Sequence, residues 1–214
     1  MDTLLRAIVW LAIIVALLIA GARYTMLRWW EVPPHDRTLG ASIQPTLQPG
    51  DWVLLWRLTK AGFGDLVMCP DPDDPSQSVV GRIAGESGDE VRISGSDVYV
   101  NGARVRSESA CPERVFSLTN PDSGDPVEEH CAFELMGGVR HKTGLVPSER
   151  AAAFQSKHIV PRGHVFLLSD NRLFPFDSRS FGPIEVSQCK ETVFFRLVSR
   201  SGFMDVERRL TLIR

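Results

Sequence analysis

The sequence predicts a mainly β protein: an antiparallel, barrel-like β domain with an inserted sub-domain, behind an N-terminal transmembrane helix. Three observations predict it. Apolar runs open repeatedly on Gly-Asp pairs, at Gly50-Asp51, Gly64-Asp65 and Gly88-Asp89, the punctuation of a meander of strands. Asn101-Gly102 separates Asp97-Val98-Tyr99-Val100 from Ala103-Arg104-Val105, which marks a hairpin with a type I′ turn. Near the N-terminus, Ala7 to Ala22 reads AIVWLAIIVALLIAGA without a charge.

As a helix, Ala7 to Ala22 extends ~24 Å at the α-helical rise, short of the ~30 Å hydrocarbon core of a bilayer. Taking Leu4 to Met26 lengthens it to ~34 Å. Arg6 and Arg23 near its ends can then snorkel, and Trp29 and Trp30 follow Arg28 as interfacial residues do. The rival is a cleaved leader, with Ala20-Gly21-Ala22 as a small-x-small site. The length of the run and its basic-aromatic border favour a permanent anchor over residues 1–28. Residues 29–38 contain Pro33-Pro34, which stop a helix and extend the chain, so they are expected to be a stiff linker.

Beyond the linker, strands are expected at Trp52 to Trp56, Leu66 to Met68 and Glu90 to Ile93. The Asn-Gly hairpin follows, then a buried strand at His164 to Leu168. Thr192 to Leu197 and Arg209 to Ile213 close the chain. These place a β core over residues 39–106 and 158–214. Residues 107–157 are less regular, with Asn120-Pro121-Asp122-Ser123-Gly124 and Gly137-Gly138, and are expected to be an inserted sub-domain. Pro147 to Gln155 is the one helix candidate there.

The chain has 214 residues and a net charge of −2 with mixed signs, so it lacks the basic footprint of a nucleic-acid binder. Asp71-Pro72-Asp73-Asp74-Pro75 is a solvated loop by composition and lacks the glycine spacing of a calcium loop. No metal or cofactor is expected. Four cysteines, Cys69, Cys111, Cys131 and Cys189, show no C-x-x-C spacing. Cys111 and Cys131 flank one loop-like insert and are the first choice for a pair. Cys69 and Cys189 pair only if their strands are neighbours. Four buried reduced thiols are an equal alternative.

The chemistry-bearing segments begin with Gly40-Ala41-Ser42-Ile43-Gln44-Pro45-Thr46. Small neighbours before Ser42 leave its hydroxyl reachable, but a serine needs a base and oxyanion donors before it can attack a carbonyl. Alone, such a serine is usually a cap or a surface residue. Downstream lie Ser169-Asp170-Asn171-Arg172, then Asp177-Ser178-Arg179 and Gly182, and Arg82 precedes the Gly88-Asp89 turn. An anchor, S-x-x-P-T, Pro-Gly-Asp, the Gly-Asp turn and S-D-N-R…D-S-R…G, in that order, resemble type I signal peptidases from about residue 5 to the C-terminus.

The resemblance implies a membrane-anchored serine endopeptidase that removes leader peptides from exported proteins. Its domain would lie on the outer side of a bacterial plasma membrane, and its partners would be leader-bearing precursors and the bilayer. It implies Ser42 as nucleophile, with Arg82, Asp170, Asp177, Ser178 and Arg179 bracing the site. The position of the family's lysine base aligns on Gly81, which has no side-chain acceptor. Gly40 stands where a hydroxyl residue is common, and Pro175 where a site-facing serine is common. Another base is therefore needed, from Lys60, Lys142, Lys157, Lys190, His35, His130, His141, His158 or His164. Lys60 and His164 border expected core strands and are the first to test. The alternative is a non-catalytic binder or assembly factor for exported proteins.

Overall fold

The computed structural model describes residues 2–57 and 60–213, without the side chains of residues 2–4, 22, 23 and 25. It begins with α1 (Asp2–Met26). The apolar side chains along this helix stand in solvent, Trp10 at 64% and Leu17 at 67% exposure. Among the described residues no helix is long and apolar enough to cross a membrane. Leu5 to Gly21, whose side chains are described, span only ~25 Å. The parts of the anchor that rest on the side chains of Leu4, Ala22 and Arg23 lie outside the described residues.

The expected linker is partly a strand. β1 (Leu27–Glu31) pairs antiparallel with β2 (Trp52–Trp56), Trp29 opposite Leu54. The alternation of Leu27, Trp29 and Glu31 with Arg28 and Trp30 suits a pleated surface. Val32 then hydrogen-bonds Asp51 and Gly50 before Pro33-Pro34 turn the chain. Next come α2 (Arg37–Ser42), β3 (Leu66–Pro70) and β4 (Ser78–Gly85). β5 (Glu90–Ser94), β6 (Asp97–Val100) and β7 (Ala103–Arg104) follow. Asn101 and Gly102 both take positive φ, 52° and 80°, as the expected type I′ turn requires.

β8 (Arg106–Thr119), β9 (Pro126–Met136) and β10 (Val139–Gly144) form their own antiparallel sheet in the order β10-β9-β8. This segment is far more regular than expected. Its strands were hard to read because β8 is mostly exposed on both faces, contains Pro112 and shifts register twice against β9, so it has no clean alternation. The helix candidate becomes a 3-10 turn over Ser148–Ala153. β11 (Gln155–Ile159) leaves the insert and joins β5, giving a sheet ordered β11-β5-β6-β7.

The return begins with β12 (His164–Leu168), followed by α3 (Ser178–Phe181), β13 (Ile184–Glu185), β14 (Glu191–Val198) and β15 (Thr211–Leu212). The main sheet runs β1-β2-β14-β3-β4-β12-β13, with β15 beside β14, all antiparallel. Its central strands are apolar on both faces. In β3, Leu66 and Met68 join one core with Val53, Leu55 and Val80, while Val67 and Cys69 join another with Ile83, Val165 and Leu167. Each such fully buried aliphatic contributes about 1.5–3 kcal/mol relative to exposure. β3 and β14 are neighbours, and Cys69 bonds Cys189 there; Cys111 bonds Cys131 across β8 and β9. The reduced-thiol alternative is thereby overturned.

Candidate active site

Asp36 starts the helix that carries Ser42. Its carboxylate accepts from Leu39 N at 2.9 Å, satisfying one donor that a helix start leaves open. Gly40 follows a packing rule: a Cβ there would sit 2.6 Å from Pro49 Cγ. The place the resemblance gives to a hydroxyl is thus closed to any larger residue. Ser42 ends the helix fully buried. Its Oγ donates to Leu39 O at 2.9 Å, and its carbonyl accepts from Asn171 N at 2.9 Å.

Gly81 lies in β4 opposite Val67. A Cβ there would come within 3.2 Å of Leu167 Cβ and 3.3 Å of Leu168 O. The neighbour on the chain, Arg82, is 1% exposed and grips Asp170 with two nitrogens: Nε to Oδ1 at 2.8 Å and Nη2 to Oδ2 at 3.2 Å. Its Nη1 donates to Gly64 O at 3.0 Å. Such two-pronged pairs are the strong form of charged hydrogen bond. Burial pushes the Asp170 carboxyl up, but Arg82, His141 and hydrogen bonds, one from Thr46, outweigh it and hold it below the usual range.

Around this pair the fold adds residues the sequence did not announce. His141 Nε2 lies 3.2 Å from Glu134 Oε2 and 3.7 Å from Asp170 Oδ1. Burial, then Arg82, lowers its imidazole, so the ring is neutral. Arg172 Nη2 donates to Glu134 at 2.5 Å. Thr143 Oγ1 donates to Asp170 O at 2.9 Å. His141 and Thr143 are two apart on β10 and share its inner face, a period-2 relation that could have suggested them. Glu129, buried on β9, is another such residue, and nothing in its sequence context marks it.

Asp177 caps α3. Its oxygens accept from Ser169 N at 2.7 Å, Arg179 N at 3.0 Å and the Arg179 guanidinium, at 2.7 Å from Nη2. Burial raises this carboxyl, and Arg179 and the backbone donors more than reverse the effect. Ser178 Oγ accepts from Leu167 N at 2.9 Å, and Arg179 Nη1 donates to Arg172 O at 3.1 Å. The structure therefore brings Arg82, Asp170, Asp177, Ser178 and Arg179 into one polar frame, joined to Ser42 through Asn171.

The first-choice bases are elsewhere. Lys60 is exposed, and His164 opens β12 with Nδ1 3.1 Å from Arg162 O. No lysine or histidine hydrogen-bonds the Ser42 hydroxyl among the described residues. Beside the Ser42–Thr46 loop runs a cleft of about 380 Å³, lined by Pro45, Thr46, Phe116, Phe133, Lys142 and Arg208 among others. Lys142 is half-buried there, and burial lowers its amine below the usual lysine range. Among the described residues no cluster of three or more His, Cys, Asp or Glu could hold a metal.

Comparison with known proteins agrees with this geometry. A family profile described as "Signal peptidase, peptidase S26" matches residues 5–198. The chain is 30% identical over 149 residues to Signal peptidase I V of Bacillus subtilis, covering 68% of this chain and 74% of that one. It is 28% identical over 162 residues to Signal peptidase I of Bacillus caldolyticus, covering 73% and 75%. It is 25% identical over 169 residues to mouse mitochondrial inner membrane protease subunit 1, covering 77% and 69%.

Proposed function

Because the chain belongs to the signal peptidase family, peptidase S26, we propose that it is a membrane-anchored serine endopeptidase that removes leader peptides from exported precursors, with Ser42 as nucleophile. The observation that carries this reading is the polar frame behind Ser42. Asn171 holds the Ser42 carbonyl, and the segment 169–172 is itself held by Asp177, Arg179 and Arg82. A frame of this kind fixes a reacting group to within the tolerance that catalysis demands.

For the reaction, Ser42 Oγ leaves Leu39 O and attacks the scissile carbonyl carbon. A base takes the hydroxyl proton, and a backbone N–H stabilises the oxyanion. The proton then goes to the leaving amine, and water hydrolyses the acyl-serine. Anchoring is supported by the apolar surface of α1, which stands clear of the core and leads into β1 with its two tryptophans. Two disulfides support an oxidising, outer-face location.

A second reading has its own observation. The Ser42 hydroxyl is buried on a carbonyl, and Gly81 offers no base. Loss of a general base costs about 10²–10⁴ in rate, so the frame could instead hold precursors without cutting them. The test is cleavage of a leader-bearing precursor by the detergent-purified chain, beside Ser42→Ala and Gly81→Lys. Cleavage that disappears in Ser42→Ala supports the peptidase. Binding without cleavage by any of the three supports the non-catalytic reading.

A further inference from the structure

The burial of Ser42 has a neighbour that can account for it. α2 lies against β8. At the tip of the β8–β9 hairpin, a Cβ on Gly124 would meet the Arg37 guanidinium at 3.2 Å, where α2 begins. Three pairs in from the turn, the facing residues Phe116 and Glu129 lean on Gly144, whose added Cβ would meet Glu129 Oε2 at 2.8 Å, Phe116 Cζ at 3.1 Å and Asn171 Cγ at 3.5 Å. Asn171 is the residue whose N–H holds the Ser42 carbonyl. The hairpin thus reaches both ends of the segment that presents the hydroxyl.

Glu129 is out of place in such a contact unless it acts there. It is 2% exposed, and neither carboxyl oxygen has an aligned hydrogen-bond partner among the described residues. The facing donor, Asn171 Nδ2, misses the alignment of a full hydrogen bond, yet it is close enough to lower the carboxyl somewhat against the larger effect of burial. The charged groups on the surrounding elements are engaged elsewhere: Asp170 with Arg82, Arg172 with Glu134, Glu113 with Arg208. Arg37 lies at the far tip, His141 against Glu134, and Lys142 in the cleft. An isolated buried carboxylate is costly, so the group keeps its proton while covered.

We propose that the β8–β9 hairpin is a movable cover over Ser42, and that Glu129 is its latch, holding the cover down while protonated and releasing it once ionised. The cover rests on the reading of Ser42 as the working hydroxyl; Glu129 is a positioning residue, acting through Asn171 and the hairpin. On opening, the carboxyl gives its proton to water and takes up solvent hydrogen bonds. Burial pushes the carboxyl up to about 7, which puts release in the neutral range. The Cys111–Cys131 bond lets the hairpin move as one piece.

The test needs no cleavage. Ser42→Cys in the full chain, in detergent, is alkylated with iodoacetamide from pH 6 to pH 8. Thiolate formation alone gives about tenfold per pH unit below the thiol's own pKa. The cover predicts roughly a further tenfold over this range, and its loss when Glu129→Gln is added. Parallel pH curves with and without Glu129→Gln overturn the latch. Should that variant not fold, hydrogen exchange in the unsubstituted chain decides. Protection of α2 amides, relative to β3 and β4, falls about tenfold from pH 6 to pH 8 if the cover lifts; a constant ratio overturns it. An extra pH dependence in a chain that cuts nothing would retain the cover and reject the peptidase, while cleavage with parallel curves would do the reverse.

Discussion

The corner at Asp177 and the setting of Ser42 lie a few residues apart in space and are finished to different degrees. At the corner, one carboxylate meets two backbone N–H groups and a guanidinium, all within 3.2 Å. At Ser42, one hydroxyl rests on a carbonyl of its own helix, a glycine faces the wall formed by β12, and a buried carboxyl lacks an aligned partner. The corner stabilises the fold whether or not chemistry occurs. The Ser42 hydroxyl adds one neutral hydrogen bond, and Gly81 fits because a Cβ there would press on Leu167 and Leu168. A frame can therefore persist while the reaction it once served changes, because fold and site are separable.

The largest expected effect strikes the frame. Asp170→Ala leaves Arg82 buried and unpaired from its carboxylate, and should cost about 3–5 kcal/mol in urea unfolding. A loss under ~1 kcal/mol would mean the pair behaves like a surface contact, and the contrast with Ser42 would fail. Asp177→Ala removes several charge-assisted bonds at once, each worth about 1.5–3 kcal/mol, and should cost at least as much as one of them by the same measurement, with α3 amides exchanging fastest.

Glu129 gives an intermediate effect with a definite sign. Its folded pKa is raised from 4.5 to about 7. The folded chain therefore binds more protons than the unfolded one between those values, and stability falls as pH rises through that window. The loss is on the order of 3 kcal/mol. Glu129→Gln should flatten the dependence of the urea midpoint on pH between 4.5 and 7, and an unchanged slope would assign it to other groups. Ser42→Ala is the mildest: one neutral hydrogen bond is lost, worth about 1 kcal/mol, while any cleavage disappears. A larger destabilisation would make Ser42 part of the frame.

Much of the β architecture was legible. Gly-Asp pairs before Trp52, Leu66 and Glu90 marked true strand starts, and Asn101-Gly102 fixed a turn type, because these positions need local conformations that few residues supply. β4 was not recognised as a strand: both its faces are buried, so Ser78–Gly85 carries no alternation. β8 escaped for the opposite reason, exposure on both faces, and β9 because its buried positions include Glu129 and Glu134, which break an apolar alternation. In the site, motif order pointed to Asp170, Asp177 and Arg179. Glu129, Glu134 and His141 come from the insert, and only long-range packing places them beside Arg82 and Asn171. Lys60 and His164 were the first to test because they border core strands, and neither hydrogen-bonds the Ser42 hydroxyl; bordering a core strand says nothing about where a side chain points.

Cys69 and Cys189 are joined across 120 residues. A ring of that size restricts the unfolded chain by about 4–5 kcal/mol in the chain-entropy view, and its second half is supplied only after the whole β8–β9–β10 insert. Until Cys189 has been made and has met an oxidant, β3 and β14 are held only by their ladder and packing. The timing of maturation is thus written into where the last cysteine falls, and a shortened chain lacking it would be born without its clasp.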